Sequence, residues 1–159
     1  CFLFLHYAFD WFPGTLTQLV SAVEESVYQH MKVAFFAYFL MSVVEYAWFY
    51  RRLNSRSHFF HTRALTAVLV PLLVFLWYFT SCAYFIKLDN MVLDIVFANA
   101  ATVLSSLTAV TIEQHMEKAV FQKRLQVLTS ILFVVSMSEF IIFTYRLPWT
   151  DVFARPPGW

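Results

Sequence analysis

Glycine is almost missing from this chain, with two in 159 residues, and there are only five prolines. That scarcity excludes long flexible or proline-rich linkers and any glycine-rich phosphate loop. Charge is also scarce, at 13% of residues, and it nearly cancels to +1. No basic stripe with interleaved aromatics is present, so no nucleic-acid partner is expected. Two cysteines, Cys1 and Cys82, do not make a disulfide framework, and spacing alone cannot pair them. A basic n-region followed by a small-residue cleavage site is lacking, so no signal peptide is read. There is no GxSxG nucleophile elbow and no HExxH metal motif. Regularly spaced arginines within an apolar run, the mark of a voltage sensor, are lacking too.

What the chain has instead is apolar length. Apolar residues make up 60% of it and aromatics 20%, and the mean hydropathy is +0.64. Four runs, 28–50, 64–86, 91–112 and 125–145, each reach the roughly twenty residues a helix needs to cross about 30 Å of hydrocarbon. Residues 1–12 form a fifth, shorter apolar segment, read as an interfacial stretch or the end of a span that begins upstream. Pro13-Gly14 closes that segment. Over 15–27, Leu16, Leu19, Val20, Val23 and Val27 recur at spacings of three and four, the pattern of an amphipathic helix. Its other face carries Glu24 and Glu25 but no Lys or Arg, which suits a solvated face better than an anionic-lipid contact. The expectation is a single all-α integral membrane domain over 1–159. It is an antiparallel bundle of four transmembrane helices, or five if 1–12 closes an earlier span, followed by a tail at 146–159.

The basic residues give that bundle an orientation. Arg51, Arg52, Arg56 and Arg63 fall in the first connection, and Lys118, Lys123 and Arg124 in the third. The turn between the second and third runs holds only Lys87, and the tail Arg146 and Arg155. By the positive-inside rule, the basic connections 51–63 and 113–124 face the cytoplasm or its equivalent, and the C-terminus lies opposite. The organelle is not legible.

Ionisable groups inside apolar runs are costly and tend to turn inward. Asp94 and Glu139 lie at similar depth in the outer halves of their runs, with Ser136, Thr80 and Tyr84 near the same level. Together they are the candidate ligand or proton site, against the plainer reading that each acid bonds a neighbouring helix. Ala98, Ala101, Ser105 and Ala109 line one face of the third run, a small-residue strip that lets another helix approach. Glu45 sits close to Arg51 and Arg52 and is expected to pair there. His58, His61 and His115, beside Glu113 and Glu117, offer imidazoles to a transition metal. They are too few for a histidine-box di-metal site, so no metal and no cofactor are expected. Pro71 is read as architectural.

No catalytic residue is identified. The leading functional expectation is a non-catalytic multi-pass subunit acting through helix and lipid contacts in a larger membrane assembly. Its partners would be lipids and other transmembrane chains or itself. The alternatives are a small lipid- or sterol-handling enzyme or carrier using the buried carboxylates, and a proton-coupled channel or transporter.

Overall fold

The computed structural model describes residues 1–24, 26–53, 55–84, 91–118, 121–146 and 148, with side chains described except at 81–84, 91–95 and 98. Among these residues the fold is entirely helical, in the order α1 (Phe2–Trp11), α2 (Thr15–Val20), α3 (Val27–Phe49), α4 (Arg56–Tyr84), α5 (Met91–Met116) and α6 (Lys123–Tyr145). Three of these, α3, Arg56–Thr80 of α4 and α6, are long and apolar enough to cross a membrane. The chain is a helical membrane protein.

Local chemistry sets the boundaries. Pro13 and Gly14 separate α1 from α2, and Thr17 anchors the junction by donating its hydroxyl to the Phe12 carbonyl at 2.6 Å. The amphipathic pattern over 15–27 is helical only to Val20, because Ser21 turns extended there (φ −106°, ψ 166°). Ser26 then starts a new helix: its hydroxyl accepts from the Gln29 amide at 3.3 Å, an N-cap that satisfies one of the four free donors of the first turn. Between them Ser21 and Ala22 are buried, so the chain folds inward where a continuous helix would have run past.

The first basic connection is also shorter than its charges suggest. Helix α4 begins at Arg56, capped by Ser55, whose hydroxyl accepts from the His58 amide at 3.3 Å. Phe59, Thr62, Arg63 and Thr66 are all buried, and their spacing of three and four residues is one helical face. That face packs on α3, so 56–63 is helix rather than loop. At the other connection α5 continues to Met116 and α6 starts at Lys123, which leaves 117–122 between them.

Helix α4 is central, packing against α3, α5 and α6, while α1 and α2 lie against α3. The main core gathers Val33, Phe35, Phe36 and Ala37 of α3 with Leu5, Ala67 and Phe140. Phe35 meets Phe133 and Phe140 of α6 at ring-centroid distances of 5.5 and 5.0 Å, within the range of favourable aromatic pairs. Tyr28 ties the same two helices by donating its hydroxyl to the Phe140 carbonyl at 3.0 Å. A smaller cluster joins Ala34, Val70 and Ala109 across α3, α4 and α5. Small residues at that crossing let the backbones approach, which matters where lipid removes the hydrophobic drive for association.

Candidate functional site

The most concentrated chemistry lies where α3, α4 and α5 meet. Arg63, seven residues into α4, is 6% exposed. Its Nε and Nη2 donate to the two carboxylate oxygens of Glu45 on α3, at 3.0 and 2.7 Å. This is the fork-to-fork geometry that makes guanidinium–carboxylate pairs strong and directional. Nη1 donates to Glu117 at 3.1 Å and pairs with Glu113. Tyr38 of α3 donates its hydroxyl to the other oxygen of Glu113. Beneath the guanidinium the Phe59 ring lies 4.6 Å from Cζ, one helical turn earlier on α4 and placed for a cation–π contact.

Three carboxylates therefore surround one guanidinium. They differ in access: the Glu113 side chain is 13% exposed, whereas Glu45 and Glu117 are 41% and 46% exposed. The cluster opens onto a lateral groove of about 560 Å³ between α3 and α5. Tyr38, Ser42, Glu45 and Glu113 form its polar floor, and Met41, Val44, Trp48, Phe49 and Val110 its apolar walls.

A second buried cation stands nearer the start of α3. Lys32 is 0% exposed, and its ammonium donates to the Gln18 carbonyl at 2.9 Å and to Thr144 Oγ1 at 3.5 Å. It thereby links α3 to α2 and α6. Among the described residues, Ser21 Oγ and Gln29 Oε1, both buried in this region, have no hydrogen-bond partner.

Asp94, Tyr84 and Ala98 lie outside the described side chains. Glu139 is exposed on α6, while Ser136 and Thr80 are half-buried, so Glu139 stands on the outer surface of its helix. Ser105 and Ala109 are buried, with Ala101 half-buried on the same face. Glu45 turns to Arg63 on the next helix and not to Arg51, whose Nε donates to the Tyr50 hydroxyl at 2.6 Å. The reason is geometric. A carboxylate one turn inside the end of α3 faces the packed α4, whereas Arg51 and Arg52 lie in the exposed loop.

The histidines also have local partners. His58 and His61 flank the Phe121 ring at 5.1 and 6.4 Å. His61 and His115 each bond a backbone carbonyl four residues earlier through Nδ1, at 2.6 and 2.7 Å. Among the described residues, no group of three His, Cys, Asp or Glu side chains is placed to hold a metal ion.

The sequence pattern puts Arg63 in a loop and Glu113 and Glu117 beside histidines, and it carries no signal for Lys32. One signal was available. Glu45 and Arg63 lie on either side of 50–55, within about two turns of it, on the two arms of a helical hairpin.

Comparison with known families decides the relationship of the chain. A family model described as a family of unknown function, DUF6512, matches residues 2–156. The chain belongs to this family. The match covers the whole helical bundle, from α1 through α6, so DUF6512 describes the complete arrangement and not one segment of it. No curated protein and no solved structure matches the chain.

Proposed function

We propose that this DUF6512 protein is a non-catalytic multi-pass membrane subunit that works through intramembrane helix and lipid contacts in a larger assembly. In this reading α3, α4, α5 and α6 are four antiparallel spans, with α1 an additional apolar element beside them.

One observation carries the proposal: Glu139 is an exposed acid within the apolar stretch of α6. Only 11% of the apolar stretch of α6 is buried, and Val135 and Ile142, one turn to either side of the carboxylate on the same face, are exposed. Glu139 lies six residues before the end of α6, which is about 9 Å along the axis. An ionised carboxylate facing lipid at such depth costs on the order of 2 kcal/mol or more, and intramembrane acids face protein almost without exception. A donor from another transmembrane chain, or from a second copy, removes that cost. Ser138, exposed beside it, donates its hydroxyl to the Val134 carbonyl at 2.7 Å and keeps its oxygen as an acceptor for another helix.

Gentle extraction followed by native mass measurement tests this. The chain is expected to travel with a second chain or copy, and Glu139→Leu to release it while leaving the monomer folded. A wild-type chain that travels alone overturns the proposal. The rival carrier or proton-coupled transporter predicts pH-dependent flux in liposomes that Glu139→Gln abolishes without changing the mass.

A further inference from the structure

The groove between α3 and α5 is remote from Glu139 in sequence and role, and its chemistry calls for a different kind of occupant. We propose that it binds a single-chain lipid-phase amine, with the ammonium at Glu45 and Glu113 and the chain along Met41, Val44 and Trp48.

Size comes first. About 560 Å³ lies within the range of small-molecule pockets, roughly 300 to 1,000 Å³. The groove follows α3 from Tyr38 to Phe49, about 16 Å at the helical rise. A transmembrane helix, 10–12 Å across with its side chains, needs a longer and wider seat. One extended alkyl chain does not.

Charge comes second. Arg63 is a single cation shared by Glu45, Glu113 and Glu117, so negative charge is in excess at the floor of the groove. Each carboxylate has about four acceptor positions, and the guanidinium occupies two of those on Glu45. An ammonium brings three donors and the opposite charge. A fatty acid or phosphate head would meet charge of its own sign, and an alcohol would leave the excess uncompensated. The Tyr38, Trp48 and Phe49 rings on the lining favour a cation as well.

Access comes third. Met41, Val44 and Trp48 are 51%, 54% and 80% exposed. The walls are therefore open along the side of α3, where a molecule dissolved in the hydrocarbon reaches them without crossing water.

The test uses the full chain in lipid nanodiscs and three photoactivatable twelve-carbon probes that differ only in head: amine, alcohol and carboxylate. The amine is expected to label Met41, Val44, Trp48 or Val110 saturably, and the other two not to. Glu45→Gln should weaken amine labelling about tenfold, the loss of one charge-assisted contact. Val110→Trp, which fills the groove from α5 and leaves every charged residue in place, should abolish it. Equal labelling by amine and alcohol overturns the proposal. So does wild-type-like amine labelling in both variants, or label confined to α6. None of these results depends on the mass of the Glu139 assembly, so the two readings fail separately.

Discussion

At the scale of single residues, the decisive feature is that one guanidinium answers for three acids. Burying an ion pair is weakly favourable at best, but removing one partner leaves the rest uncompensated and costs about 3–5 kcal/mol. Arg63→Leu leaves the buried Glu113 with the Tyr38 hydroxyl but no cation, whereas Glu45 and Glu117, nearly half exposed, can turn toward water. The expected loss is therefore about 3 kcal/mol, the low end of that range, read as a fall in thermal unfolding midpoint in mild detergent. Lysine cannot reproduce the bidentate geometry, so Arg63→Lys should recover only part of it. An Arg63→Leu protein as stable as wild type would remove the network from any account of the fold. Tyr38→Phe probes the same cluster more gently. It removes one hydroxyl donated to a carboxylate, a bond to a charged group, and should cost about 1.5–3 kcal/mol. Sequence could show that Glu45 was an acid near a helix end, but not which cation it faced. That choice depends on which side of α4 packs on α3, and Arg51 and Arg52, nearest in sequence, point to the wrong neighbours. Lys32 was illegible for a related reason: its partners Gln18 and Thr144 are brought to it by tertiary packing alone.

At the scale of elements, the apolar runs were legible because length and hydropathy are properties of the chain itself. Runs 28–50 and 125–145 correspond closely to α3 and α6. Ends were harder to read, since they turn on caps. The charged stretch 51–63 reads as a loop, yet Ser55 caps a helix at Arg56 and the face bearing Phe59, Thr62 and Thr66 is buried. Polar composition hid a packed helical turn there. The pattern over 15–27 failed the other way: periodicity alone continues the helix, but Ser21 leaves it and Ser26 begins α3. The break has a testable origin. If the Ser26 hydroxyl, 3.3 Å from the Gln29 amide, holds the start of α3, Ser26→Ala should lower stability by about 1 kcal/mol. The change should appear as faster amide hydrogen exchange confined to the first turn of α3. Ser26 is fully buried, so the control is Ser26→Thr, which keeps an uncharged capping hydroxyl and should restore protection. Equal exchange in all three proteins would assign the break to tertiary packing instead.

At the scale of the whole molecule, the basic connections and the helix order make one topological expectation that neither makes alone. Charge asymmetry puts the loop at 50–55 and the connection at 117–122 on the same, cytoplasmic or equivalent side. For both to lie there, α4 and α5 must together cross the membrane twice, whereas α3 alone separates Val23 from Ser55. Single cysteines at Val23, Ser55 and Gln122, in a chain with Cys1 and Cys82 replaced by serine, read these crossings directly. Val23, Ser55 and Gln122 are all exposed, so a membrane-impermeant thiol reagent reaches each from its own side. Ser55→Cys and Gln122→Cys should label from one side and Val23→Cys only from the other. Labelling of Ser55 and Gln122 from opposite sides would mean that α4 and α5 cross once between them, which removes the four-span arrangement. It would also contradict the pairing of Arg63 with Glu113, which needs the start of α4 and the end of α5 at the same level. Labelling of all three from one side would instead take α3 out of the membrane, and with it the lipid-facing wall of the groove.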